Sequence, residues 1–342
     1  MKRSVFVAVF VLLGTACGAP TQPTPAPRTA SARTTSALAE SSPSPSPAQP
    51  SEAVAGAASS AAPTLPEPPP LIDAREPGVF VTETGVEPKR ALTLTASLGT
   101  TRTVPVRMTM RLSVGVADSV VPPTDIPAIR LDVITKVTAV TAAEMVVEVT
   151  TANAVADGDV ESDRVRKALV EAVQHLEAAR ATMTIDRKGG ASTMVMAGVA
   201  DGSRLKPSID GLFDSLRPMF LTLPVEPLGV GARWEVVSHR EEGGAQMQRV
   251  VRYELTEAAG DVVAIAWQTD RGTVSIGPAD GAGIDAHAAT GKGVTRYDLA
   301  SASPLSSRSE IETRTHARVK FGERTSQVMV ELHTQLHVGP HA

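Results

Sequence analysis

Cysteine is almost missing from this chain: there is one, Cys17, in 342 residues. A disulfide framework needs an even set, so the folded part must be held by its core, which a chain of this length can bury without staples. Aromatic residues are scarce too, at 3%. That excludes the stacking platforms that bind sugars or bases, and the aromatic girdles of a transmembrane barrel. A surplus of positive charge is absent: the formal net charge is -4, and loss of Lys2 and Arg3 would take it down by two to -6. No basic patch for nucleic acid is left. G-x-S-x-G, H-E-x-x-H, a Walker A loop and a strand-linked dinucleotide fingerprint are also missing. The apolar run Val5–Leu13, of about nine residues, is too short to span a bilayer as a helix.

What is present begins with that run. Lys2 and Arg3 precede it, and the small residues Gly14, Thr15 and Ala16 separate it from Cys17. This is the layout of a cleaved export signal. An ordinary signal cut near Thr15-Ala16-Cys17 would leave an incidental thiol. Met1–Cys17 resembles a bacterial lipoprotein signal. The resemblance implies cleavage before Cys17, a diacylglyceryl group on its sulfur, and a protein held to the membrane through that lipid. Gly14 stands where the family usually has Leu. Gly18 after the cysteine implies export to the outer membrane. The expected divisions are a signal over 1–16, a lipidated stalk over 17–70 and a β-rich domain over 71–342.

The stalk is read from composition. PTQPTPAPRTASARTT, SSPSPSPAQPSE and LPEPPP carry no apolar period, so no core can offset the ordering entropy. About fifty such residues span roughly 40 Å as a coil and up to ~150 Å as polyproline II. A spacer is the plain reading; a proline-rich ligand for a partner is the other.

After Leu71 the texture becomes strict alternation. Val104, Val106, Met108, Met110, Leu112, Val114 and Val116 mark one face, with Pro, Arg, Thr, Ser and Gly between. Period two over this length predicts a half-buried antiparallel strand. Similar runs are Leu92–Leu98, Ile129–Val137, Met145–Val149, Val251–Leu255, Ile311–Phe321 and Val328–Val338. Val262–Trp267 is apolar on both faces, which predicts a central strand covered on both sides. Pro122-Pro123, Glu242-Gly243-Gly244 and Phe321-Gly322-Glu323 read as turns, and Ala181–Val199 as a hairpin turning at Lys188-Gly189-Gly190. Helical spacing of Val165, Leu169, Ala172, Val173 and Leu176, with Ser162 as cap, predicts one helix. Ser208–Arg217, ended by Pro218, predicts a second. The expected fold is mainly β with two helices (α+β). It is a long, strongly curved antiparallel sheet or incomplete barrel capped by the helices, with two similar halves, 86–200 and 225–339, as a variant.

Motifs with chemical potential each meet a plainer explanation. Ser203-x-x-Lys206 matches the nucleophile pattern of β-lactamases, but Pro207 follows at once and the companion elements are absent. Asp157, Asp159, Glu161 and Asp163 alternate, yet the glycine and the closing glutamate of a calcium loop are missing. His333, His337 and His341 recur every four residues. On a strand His333 and His337 share the polar face roughly 13 Å apart, too far for one ion. Asp270-Arg271-Gly272-Thr273 only partly echoes an aspartic-protease loop. No catalytic, cofactor or metal residue is assigned, and Cys17 is the one site, for lipid attachment.

The stretch Leu223–Val236, with Pro227, Gly229, Gly231 and Trp234, is the nearest thing to a signature. With Arg252-Tyr253-Glu254-Leu255, Arg296-Tyr297-Asp298-Leu299 and Ser303-Pro304-Leu305, it resembles a family of bacterial envelope lipoproteins of unassigned function. The resemblance implies a β-rich envelope protein over 86–339 and no catalytic residue. Physically, Gly229 and Gly231 permit a tight turn and Trp234 plugs the core at a strand start. The expectation is a non-enzymatic, outer-membrane-anchored structural or interaction module. Its partners would be the membrane through Cys17 and an envelope protein, with no nucleic acid. The alternative is a carrier that holds a lipid or other apolar ligand between sheet and helices.

Overall fold

The computed structural model describes residues 65–116, 119–158, 163–177, 179–187, 193–197, 216, 220–242, 244–277, 283–321 and 324–340. Cys17, the stalk to residue 64, and Ser203 to Lys206 lie outside the described residues.

Among the described residues, twelve strands make one antiparallel sheet. They are β1 (Gly78–Glu83), β2 (Thr101–Val116), β3 (Ser119–Val140), β4 (Glu144–Asp157), β5 (Arg180–Asp186) and β6 (Thr193–Ala197), then β7 (Arg233–Glu242), β8 (Ala245–Ala259), β9 (Val262–Ile276), β10 (Gly283–Asp298), β11 (Ser303–Phe321) and β12 (Arg324–Val338). The order is β1-β7-β8-β9-β10-β11-β12-β2-β3-β4-β5-β6, so the sheet is open, with β1 and β6 at its edges. The stretches 86–200 and 225–339 therefore lie in one sheet, as two meanders joined by β12–β2 pairing.

Alternation builds the faces as period two requires. Val104, Val106 and Met108 are buried while Thr103, Pro105 and Arg107 are exposed. On β9, Val263, Ile265 and Trp267 turn inward. Ala264 is buried on the other face, where Val262 and Ala266 are half-buried. The hairpins Glu242–Ala245 and Phe321–Arg324 fall where the sequence places them.

Pro122-Pro123 is a correction, because both residues lie inside β3. The register passes from Leu112↔Thr124 to Val114↔Val121, so the prolines sit in a bulge. The partner on the other side, β4, reaches only as far as Ala128. With neither ladder asking for their missing N–H groups, prolines are tolerated there.

One helix, not two, is present among the described residues: α1 (Asp163–Leu176). Its Leu169, Val173 and Leu176 join the core against β4, where the Thr151 hydroxyl donates to the Leu176 carbonyl. Of the segment expected as a second helix, 208–217, only Leu216 is described, and it is fully buried. Leu216 is itself helical, and extended chain adds to the cover of the inner face. Residues 84–100 cross the inner face from the Arg90↔Leu228 bridge, through a Thr95 N–H bond to Leu299 O (3.0 Å), to a Gly99 N–H bond to Val137 O (2.9 Å). Leu92, Leu94 and Ala96 are buried there, but they belong to no strand of the sheet, and Leu98 is exposed. The alternation was legible; the ladder expected from it does not form.

Near this crossing the sheet curls. Thr135 of β3 lies 3.5 Å from Ser303 of β11, although β12 and β2 stand between them in the strand order. A flat sheet would hold β3 and β11 roughly 14 Å apart.

Gly229 has a sharper role than a turn. A Cβ there would lie 1.7 Å from Val86 O, so two backbones cross at van der Waals contact. Trp234 does plug the core: it is fully buried, stacked on Tyr253 (ring centroids 5.1 Å), and its indole N–H donates to Thr222 O at 2.9 Å.

The outer face is crossed by a second extended segment, 65–77. Leu65 lies over Gly115 of β2, Ile72 over Gly272 of β9, and Ile72 N–H bonds Thr273 O at 2.9 Å. Gln248 of β8 donates to Asp73 O, and Arg75 pairs with Glu235 of β7 at 2.7 Å before the chain enters β1. The fold thus starts before Leu71, because Leu65 and Ile72 fill notches left by glycines.

Candidate functional site on the outer face

The inner face is filled by core side chains, and a trough of about 660 Å³ opens on the outer face. It runs across the strands from Thr82 of β1 to His337 of β12. Each strand contributes outward side chains two apart, such as Arg252 and Glu254, with backbone between them as the floor. Ala266 is short and Val294 is 51% exposed, which keeps the middle of the trough open.

Its first end is a cross-strand charge network. Glu235 accepts from Arg75 at 2.7 Å and from Arg252 at 3.0 Å, and Arg252 also reaches Asp270. Arg233 sits between Glu83 (3.3 Å) and Glu254 (3.4 Å). The hydrogen bond from Arg75 holds the Glu235 carboxyl below the usual range, and the bond to Asp270 raises Arg252. In the middle, Lys292 and Arg308 form no ion pair among the described residues. At the far end, Glu310, Glu312 and His333 offer ligand atoms that all lie within 4.8 Å of one another. A second concavity of about 400 Å³ adjoins them, walled by Pro69 of the crossing segment, Pro123, Arg111 and Arg314.

Such a surface can hold a polar or charged partner by paired hydrogen bonds and ions. Ser309, the one serine lining the trough, is 5% exposed and turned inward, away from it. Buried polar groups lie elsewhere. The His287 backbone N–H donates to Thr273 Oγ1 (2.8 Å), and its ring places Nδ1 2.9 Å from Thr315 Oγ1, while Nε2 has no partner among the described residues. Burial, with Arg271 nearby, lowers its imidazole to about 3. Burial raises the Tyr297 phenol, whose oxygen is also unpartnered among the described residues.

His333 and His337 share the outer face of β12, as the alternation implies; His341 lies outside the described residues. Asp157 pairs with Arg130 at 3.4 Å, Asp163 begins α1, and Asp159 and Glu161 fall outside. The Asp270–Thr273 stretch is split: Asp270 meets Arg252 on the outer face, Arg271 meets Glu242 on the other, and Gly272 lies under Ile72. Sequence reasoning missed Glu310 and Glu312 beside His333. The E-x-E spacing puts both carboxylates on one face, but only the β11–β12 register brings the imidazole opposite Glu312.

No protein-family model matches the chain, and no curated protein matches its sequence. Among the described residues no helix is long and apolar enough to cross a membrane.

Proposed function

We propose that this protein is a lipid-anchored module of the bacterial envelope, attached through Cys17 to the outer membrane, that binds a polar envelope partner rather than transforming a substrate. The β domain is read as an incomplete barrel closed on its inner side by α1 and the 84–100 segment. The observation that carries the binding role is the contrast in occupancy: core residues fill the inner face, while the transverse trough on the outer face stays open and is edged by charged side chains such as Arg252, Lys292 and Arg308. The export-signal pattern of Met1–Cys17 supports the anchor, and the composition of residues 18–64 supports a spacer that lifts the domain off the lipid.

Two experiments test this reading. Cys17→Ser should move the protein from the detergent phase to the aqueous phase; a wild type already aqueous and unlipidated ends the anchor. A photo-crosslinking residue at Val294, in the trough, should give a discrete adduct in cells, and one at the exposed Leu98 should not. No adduct from Val294, or equal adducts from both sites, overturns the trough as the binding face. A lipid co-purifying with the domain in native mass spectrometry would favour the apolar carrier instead.

A further inference from the structure

We infer that Glu310, Glu312 and His333 form a surface site for a divalent transition metal ion of the zinc type. Glu310 and Glu312 are two apart on β11, and the register sets His333 opposite Glu312 and Gln335 opposite Glu310. The four side chains therefore occupy the corners of one square of the sheet, on strands whose ladder runs unbroken from Ser307↔Val338 to Phe321↔Arg324. A site on paired strands is held more firmly than one on a loop.

The donor set separates this cluster from a merely acidic patch. His333 Nε2 lies 3.6 Å from Glu310 Oε1, and Nδ1 lies 3.6 Å from Glu312 Oε1. Both distances are too long for hydrogen bonds. Either one suits a carboxylate oxygen and an imidazole nitrogen that share an ion, since tetrahedral bonds of about 2.0–2.2 Å place donor atoms roughly 3.3–3.6 Å apart. One imidazole nitrogen takes the ion, and the exposed Glu312 arm swings to complete three protein ligands. Water supplies the fourth, and the Gln335 amide, which donates its N–H to His333 Nε2 at 3.3 Å, turns aside if that nitrogen takes the ion. An imidazole with two carboxylates selects zinc, nickel or copper over calcium and magnesium, which favour oxygen alone.

Placement gives the ion a use. Glu310 and Gln335 line the trough, while Glu312 and His333 line the adjoining concavity, so the cluster is the ridge between them. An ion there keeps an open coordination position toward either side. The inference stands apart from the anchor and from the trough's partner.

The test is titration of the mature chain with Zn²⁺ against a chromophoric chelator, with Co²⁺ absorption as a second readout. One equivalent should bind, and Co²⁺ should give the intense visible bands of a four-coordinate site. His333→Ala should weaken binding by at least about tenfold, and Glu310→Gln and Glu312→Gln each by a smaller factor. His337→Ala, on the same strand face, should leave binding unchanged, and unaltered circular dichroism melts would show that all variants fold. Absence of stoichiometric binding, or binding that survives His333→Ala undiminished, overturns the site.

Discussion

The two faces of this sheet are made by the same strands yet held by different physics. Inward, Trp234, Tyr253, Leu255, Ile265 and Tyr297 pack into one cluster with Leu92, Leu94 and α1. Outward, the neighbouring positions carry Arg233, Glu235, Arg252 and Glu254, tied by ion pairs that water screens, with Lys292 beside them. The inner face accounts for most of the stability, because buried apolar area contributes far more than exposed charge pairs. The outer face is free to change, which is where a binding surface can be tuned without unfolding the scaffold.

The largest effect should come from the inner face. Trp234→Ala removes a fully buried ring, its stacking on Tyr253 and its bond to Thr222 O. Denaturant titration should show a loss of about 3–5 kcal/mol. A loss below about 1 kcal/mol would mean that the inner cluster does not dominate. Gly229→Ala comes next, since its Cβ would meet backbone, which cannot step aside as a side chain can. A loss of roughly 2–3 kcal/mol is expected in the same measurement.

His287 offers a pH readout of burial. The folded imidazole titrates at about 3, whereas the unfolded one titrates near ~6.5. Below that value the unfolded chain takes up a proton that the fold refuses, so this contribution is intact above about pH 6.5 and declines as pH falls. The loss should reach roughly 2 kcal/mol near pH 5. His287→Gln should flatten the acid slope, and an unchanged slope would assign the sensitivity to other groups. The smallest effect belongs outside. Glu235→Gln breaks contacts with both Arg75 and Arg252, yet should cost less than about 1 kcal/mol. A larger loss would show that the charge network is structural, and the contrast between the faces would shrink.

Much of this division was readable in advance, because alternation is written locally. The inward sets of β2 and β9 follow from side-chain period alone, and so do Leu169, Val173 and Leu176 of α1, whereas the cover expected over both faces of β9 is broken at Ala266, under the open trough. Trp234 as a plug was legible from its place after Gly229 and Gly231. What depends on register was not. Leu92–Ala96 alternates as a strand would, but nothing in those residues says that the ladder is already complete without them. The Pro122-Pro123 pair reads as a turn until the bulge opposite Leu112 and Val114 is known. Glu310, Glu312 and His333 meet only because β11 and β12 pair in one phase, a fact no single strand carries. The trough is likewise a product of seven strands, β1 and β7 to β12, and no segment announces it.

The segment 65–77 has a mechanical consequence. A pull on the chain ahead of Leu65 would not load the core ladders at once. It would first draw Leu65 off Gly115, then lift Ile72 from Gly272, then part Arg75 from Glu235, and only afterwards reach the β1–β7 pairing. These contacts lie in series and yield one by one, as in peeling rather than shearing. Small tensions would therefore be absorbed by unseating the crossing segment, sparing the inner cluster, and the segment would reseat when the load falls.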